Sequence, residues 1–166
     1  MIEKICLCLS RFYVKVRFTT EYIAKHHNID YARKLGVKVG DNCRFFSINF
    51  SSEPYLINIG NHVTITDNVE FITHDGGVWV FREKYPNINL LGKISIGNNV
   101  FIGLGAIILP NTVIGDNTII AAGAVVKGNY ESNSVIGGVP AKHLCTIDEY
   151  YSKNALRFSY DRKTTV

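Results

Sequence analysis

The sequence predicts an all-β solenoid. Three observations carry that reading: a large aliphatic residue recurs every six positions, Gly and Asn fill the places between, and neither a helix nor a lone strand has that period. From Ile96 the chain divides into Ile96-Gly-Asn-Asn-Val-Phe, Ile102-Gly-Leu-Gly-Ala-Ile, Ile108-Leu-Pro-Asn-Thr-Val, Ile114-Gly-Asp-Asn-Thr-Ile, Ile120-Ala-Ala-Gly-Ala-Val and Val126-Lys-Gly-Asn. The same frame runs through Ile59, Ile65 and Phe71, and an earlier block starts at Val39. Short β segments joined by corners satisfy such a period, with one aliphatic side chain per segment turned inward. Gly and Asn tolerate the left-handed backbone that a corner needs. Stacked coils then bury a continuous aliphatic ladder. An ordinary β-sandwich does not explain six consecutive blocks in frame.

Each end of the repeat reads differently. Over residues 1–36, Ile2, Ile5, Cys6, Leu9, Phe12, Tyr13 and Val16 recur at helical steps. A second short helix is expected from Tyr31 to Leu35, with Asp30 as N-cap and Gly36 as stop. This N-terminal helical segment reads as a cap over the open end of the solenoid. Its sharper alternative is a basic amphipathic helix in peripheral contact with a membrane. Repeats occupy 37–145. Residues 146–166 read as a C-terminal helix, opened by a capping box at Thr146-Ile-Asp-Glu, and a frayed tail.

The frame breaks in three places. It slips between Phe45 and Ile59, through Ser51-Ser-Glu-Pro. A long excursion, loop 74–93, separates Phe71 from Ile96. Asn129-Tyr-Glu-Ser-Asn-Ser reads as a small insertion between Val126 and Ile136. Insertions in solenoids map to loops on a binding face. The long loop carries Val78, Trp79, Val80 and Phe81, which are costly to leave in water and call for a cover.

Composition narrows the classes. The 166 residues suit one domain, and no apolar run approaches the roughly 20 residues that span a membrane. The first residues include Glu3 and lack the pattern of a secretory signal, so the expected location is cytoplasmic. Cys6, Cys8, Cys43 and Cys145 are scattered and read as reduced thiols. The net charge of +4 sits at the front: residues 1–44 hold nine Lys/Arg against four Asp/Glu. That bias suits a solvated helix face, and no nucleic-acid partner is expected.

These blocks resemble the hexapeptide-repeat acyltransferase family over roughly residues 37–145. The resemblance implies a left-handed parallel β-helix with three hexapeptides per coil; period alone does not set that hand. It also implies acetyl transfer from acetyl-CoA as co-substrate, with no metal required, and a homotrimer whose donor site lies between neighbours. Ile72-Thr-His-Asp-Gly-Gly looks like the family's catalytic-histidine segment, which makes His74 the expected general base. Acetyl transfer from a thioester needs a base for the acceptor hydroxyl and a donor for the tetrahedral oxyanion. A neutral imidazole suits the first task near pH 7. Asp75, adjacent, and Glu53, in the first interruption, are the candidates for orienting His74 or binding the acceptor. Asp75 has a competing use in the Asp-Gly turn. His26, His27, His62 and His143 read as structural or solvated.

The ending Ile136-Gly-Gly-Val-Pro-Ala-Lys142 strongly resembles that of acetyl-CoA-dependent members. By that resemblance Lys142 meets a phosphate as a point charge where many relatives carry Arg. Lys127, Ala122 and Leu104 or Gly105 match further donor contacts. Relatives often place Ser where this chain has Leu104, so the oxyanion would rely on backbone N–H groups. The segments around Glu53 and His74–Arg82 look most like surface-polysaccharide O-acetyltransferases acting on a sugar hydroxyl. Amino-sugar N-acyltransferases and antibiotic acetyltransferases share the fold; serine acetyltransferase is disfavoured, since its large N-terminal helical domain has no room here. Outside that class stand a γ-carbonic-anhydrase-like hydratase and a non-catalytic solenoid. The first needs three metal ligands at one centre, and the second leaves the His74 loop unexplained.

Overall fold

A computed structural model describes residues 28–158. The pattern over Ile2–Val16, together with Cys6, Cys8, His26, His27 and the tail from residue 159, lies outside the described residues. Three parallel sheets form the faces of a triangular prism. Sheet 1 stacks β1 (Lys38–Val39), β3 (Ile57–Ile59), β6 (Ile94–Ile96), β9 (Thr112–Ile114) and β12 (Asn129–Tyr130). Sheet 2 stacks β2 (Arg44–Phe45), β4 (Thr64–Ile65), β7 (Val100–Ile102), β10 (Thr118–Ile120) and β13 (Ser134–Gly138), closed by antiparallel β14 (Ala141–Thr146). Sheet 3 holds β5 (Glu70–Phe71), β8 (Ile107–Ile108) and β11 (Val125–Val126). From β3 to β13 successive strands visit the three sheets in turn, while between β2 and β3 the chain passes the third face without a named strand; the winding is the expected left-handed parallel β-helix.

Register measures each interruption. In the regular part Ile94 pairs with Thr112, Val100 with Thr118 and Ile107 with Val125, a constant offset of eighteen residues. Lys38 pairs with Asn58 and Arg44 with Thr64, so the first interruption adds two residues. Ile57 pairs with Ile94 and Glu70 with Ile107, so the long excursion adds nineteen. The third break is not the insertion that the sequence suggests. Asn129 pairs with Val113 and Val135 with Ile119, an offset of sixteen, so this coil is two residues short. Gly128 explains it: at φ +100° it turns the chain directly from β11 into β12.

The inward ladders are Phe45–Ile65–Ile102–Ile120–Ile136, Phe71–Ile108–Val126 and Ile59–Ile96–Ile114, all buried. Each such side chain contributes about 1.5–3 kcal/mol of transfer free energy. Two inward threonines are satisfied locally: Thr112 Oγ1 donates to Leu109 O at 2.7 Å and Thr118 Oγ1 to Gly115 O at 2.9 Å. Coils approach so closely at the corners that a Cβ on Gly103 would stand 2.5 Å from Ala122 N.

The corner between sheets 1 and 2 is a column of left-handed residues: Asn42, His62, Asn99, Asn117 and Asn133. Asn99 Nδ2 donates to Asn117 Oδ1 at 2.8 Å, and Asn117 Nδ2 to Asn133 Oδ1 at 3.0 Å. His62 extends this ladder through Nδ1, 2.8 Å from Asn99 Oδ1, so it does structural duty.

Helical backbone spans 28–35, which corrects the expected helix start: Asp30 lies inside the helix and is not its N-cap. Gly36, at φ +104°, ends it, with Gly36 N donating to Arg33 O and Val37 N to Ala32 O. Ala32 is buried in the core of the first coil. At the other end, Thr146 and Glu149 form the expected capping box of a helix over Ile147–Asn154. Among the described residues no helix is long and apolar enough to cross a membrane.

Candidate active site

The corner between sheets 3 and 1 builds the site. After β5, Ile72 N still donates to Ile108 O at 2.8 Å, and Thr73 is fully buried. The chain leaves the prism at His74 and returns at Gly92. His74 bridges Leu91, Asp75 N donates to Leu90 O at 2.9 Å, and Gly92 N donates to Thr73 O at 2.8 Å. The excursion is therefore pinched at its neck, and His74 stands on that neck rather than on a free loop.

Glu53 reaches His74 because the first interruption lies one coil away at the same corner. Ser51 takes φ +60° there, Glu53 follows, and Pro54 starts a 3-10 turn over Pro54–Leu56. Glu53 Oε2 accepts Thr73 Oγ1–H at 2.7 Å and stands 3.0 Å from His74 Nδ1. An ionised carboxylate only accepts, so Nδ1 carries the proton and the neutral imidazole keeps its lone pair on Nε2. The His74 and Glu53 side chains are 43% and 20% exposed, a pair at a rim rather than in a core. The Thr73 hydroxyl first, and His74 second, hold the Glu53 carboxyl below the usual glutamate range.

Asp75 does not orient His74. Its carboxylate accepts Gly77 N at 2.8 Å and caps a 3-10 turn over Gly76–Phe81. That turn leaves Trp79 72% and Val80 74% exposed, with the Arg82 guanidinium 5.7 Å from the Trp79 ring centroid.

A cavity of about 280 Å³ opens beside His74, lined by Ile72, Asp75, Leu109, Asn111 and Lys127 among others. A larger hollow of about 330 Å³ lies on sheet 2 between Arg44 and Ile147, and no base–carboxylate pair lines it. Chemistry favours the smaller one.

The residues matched to the donor divide between two corners. Leu104, Gly105 and Ala122 share the corner between sheets 2 and 3. There Gly105 N donates to Asp67 O and Gly123 N to Leu104 O. The N–H groups of Leu104 and Ala122 have no partner among the described residues, and both residues are exposed. Register of Ile136 over Ile120 carries the Gly138–Ala141 turn, with its cis Val139–Pro140 bond, toward the Ala122 corner. Exposed Lys142 follows, paired with Gly137. Lys127 does not join them: it lines the cavity of His74 at the opposite edge of sheet 3. One chain brings His74, Glu53 and Lys127 together and leaves the Leu104–Ala122 edge apart.

Thr73 and Ser51 were not legible as site residues. One signal was available for Thr73: it is a polar residue two places after inward Phe71, at a position that should also face inward.

Residues 93–128 match the family described as bacterial transferase hexapeptide (six repeats). Protein CapG of Staphylococcus aureus is 54% identical over 137 residues, which cover 81% of this chain and 80% of CapG. The chain belongs to the hexapeptide-repeat transferase family. The galactoside O-acetyltransferase of Escherichia coli is 35% identical over 119 residues, covering 67% of this hexapeptide-repeat chain and 58% of that protein. A hexapeptide-repeat-containing acetyltransferase from Vibrio cholerae superposes with a TM-score of 0.60 over 74% of this chain and 81% of its own; at 20% identity it speaks for the fold. Several relatives, the galactoside enzyme among them, are acetyltransferases by name, and this hexapeptide-repeat transferase is an enzyme of that class. Among the described residues no three His, Cys, Asp or Glu side chains gather to hold a metal ion.

Proposed function

We propose that the chain transfers an acetyl group from acetyl-CoA to a sugar hydroxyl, in the assembly of a surface polysaccharide. The observation that carries this reading is the Glu53–His74 pair, in which His74 lines a cavity, with Nδ1 tied to the carboxylate and Nε2 left for a substrate. Nε2 takes the proton of the acceptor hydroxyl as that oxygen attacks the thioester carbonyl carbon. Glu53 stabilises the imidazolium formed. The tetrahedral oxyanion collapses, the C–S bond breaks, and the leaving thiolate takes the proton back from His74.

The free N–H groups of Leu104 and Ala122 suit the amide-rich arm of coenzyme A, and Lys142 suits a phosphate. Because this edge and His74 lie on different corners, a complete site requires a second copy, with the His74 corner of one chain against the Leu104–Ala122 edge of the next. A homotrimer satisfies that for all three sites. It also gives the exposed Trp79–Phe81 turn a cover.

The test is release of free thiol from acetyl-CoA across a panel of sugars. Turnover with a saccharide is expected, and His74→Ala should lower kcat by about 10²–10⁴-fold without unfolding the chain, because His74 lies outside the aliphatic ladder. No turnover with any sugar, combined with no thermal shift on adding coenzyme A, refutes the transfer. A fully active His74→Ala variant refutes the site.

A further inference from the structure

We infer that Thr73 is the positioning residue of this site: its hydroxyl fixes the Glu53 carboxylate so that one oxygen receives His74 Nδ1–H and Nε2 stays unprotonated toward the cavity. The inference rests on the reading of His74 as the base.

Glu53 cannot set its own carboxylate. It precedes a one-turn 3-10 segment, forms no cap bond with it, and carries a long side chain with several rotamers. His74 cannot set it either, being itself 43% exposed. Thr73 is the rigid member. It is fully buried, and β-branching limits its χ1. Its backbone is tied at both ends: Thr73 N donates to Ser51 Oγ at 3.3 Å, and Thr73 O accepts Gly92 N at 2.8 Å. Its Oγ1–H meets Glu53 Oε2 at 2.7 Å, the shorter of the two bonds to that oxygen. Thr73 thus joins the Ser51 corner, the His74 neck and the returning end of the loop. It ties closure of the neck to the tautomer of His74. The lowered pKa of Glu53, owed first to Thr73, agrees with this order of influence. The other charged groups lining the cavity around His74 are Asp75 on the loop and Lys127 on the later coil. A change at Thr73 removes neither.

The experiment compares the full chain with Thr73→Val, which keeps the shape and deletes the hydroxyl, and Thr73→Ser, which keeps the hydroxyl. Two readouts are used. Long-range ¹H–¹⁵N NMR of the His74 ring reports its tautomer across pH, and side-chain carboxyl NMR reports the Glu53 midpoint. Steady-state thiol release separates kcat from KM. In Thr73→Val the ring is expected to pass from the Nδ1–H tautomer to a mixture, and the Glu53 midpoint to rise toward the ordinary carboxylate range. Its kcat should fall about tenfold with KM within about twofold, and serine should restore most of the loss. A His74 tautomer and Glu53 midpoint unchanged in Thr73→Val overturn the inference. So does a serine variant as impaired as valine, since that points to packing rather than the hydroxyl. The NMR readouts do not depend on turnover. A tautomer that shifts in a chain whose His74→Ala variant stays fully active therefore keeps the role of Thr73 and sinks the catalytic reading alone.

Discussion

Replacing Glu53 with Gln keeps the shape of the side chain and removes its charge. Thr73 Oγ1–H needs an acceptor, so the amide oxygen should take the place of Oε2 and still face both Thr73 and His74 Nδ1–H. The tautomer survives, and what is lost is the charge that stabilises the imidazolium. A hydrogen bond to a charged group contributes about 1.5–3 kcal/mol. Here the partners are 43% and 20% exposed, and solvent screening reduces the difference to about 1–2 kcal/mol. At about 1.4 kcal/mol per factor of ten, kcat should fall roughly five- to thirtyfold, with KM little changed. Thiol release at saturating acetyl-CoA measures it, with circular dichroism to confirm the fold. A kcat within twofold of the parent refutes the orienting role of Glu53. A loss as deep as that of His74→Ala refutes the argument that Thr73 holds the amide oxygen inward.

Three further outcomes are expected. Ile102→Ala opens a hole in the sheet 2 ladder between Ile65 and Ile120, and should cost about 2–5 kcal/mol in chemical denaturation; a loss under about 1 kcal/mol contradicts the ladder as the main source of stability. Glu53 and Glu149 are both held below the ordinary glutamate value of about 4.3, Glu149 chiefly by the Thr146 backbone N–H. Their stabilisation is therefore present above that value and lost as pH falls through the folded pKa values, so thermal scans on the acid side should show Glu53→Gln and Glu149→Gln less pH-sensitive than the parent. A double Trp79→Ser, Phe81→Ser variant removes only exposed side chains within one chain, so it should fold; light scattering should find it smaller than the proposed trimer, and an assembly the size of the parent's speaks against the loop as an interface.

The period-six ladder was legible in the residues because burial acts on each coil in the same way. A single inward aliphatic residue per hexapeptide is a local demand, repeated, and Ile96 to Val126 state it without help from distant sequence. The position of His74 was legible for the same reason, since a neck appears wherever the repeat stops. Asp75 could not be assigned from sequence because adjacency in sequence is not adjacency of side chains: of the two uses open to it, its carboxylate takes the Asp-Gly turn and accepts Gly77 N. The third interruption misled because composition cannot show whether a polar stretch lengthens or shortens a coil. Only the pairing of Asn129 with Val113 tells that.

By itself the sequence determined the solenoid, the capping box of its C-terminal helix and the places where chemistry could leave the frame. Tertiary structure decided which groups meet there. Ser51, Glu53, Thr73 and His74 come from two coils, and they converge because stacking sets consecutive corners about one strand spacing apart, near 4.8 Å. The same stacking puts His74 on a different corner of the prism from Leu104 and Ala122, while Lys127, further along the chain, shares the corner of His74. A repeat defines what is inside; the offset between coils, two residues longer here and two shorter there, defines which outward groups share a vertex.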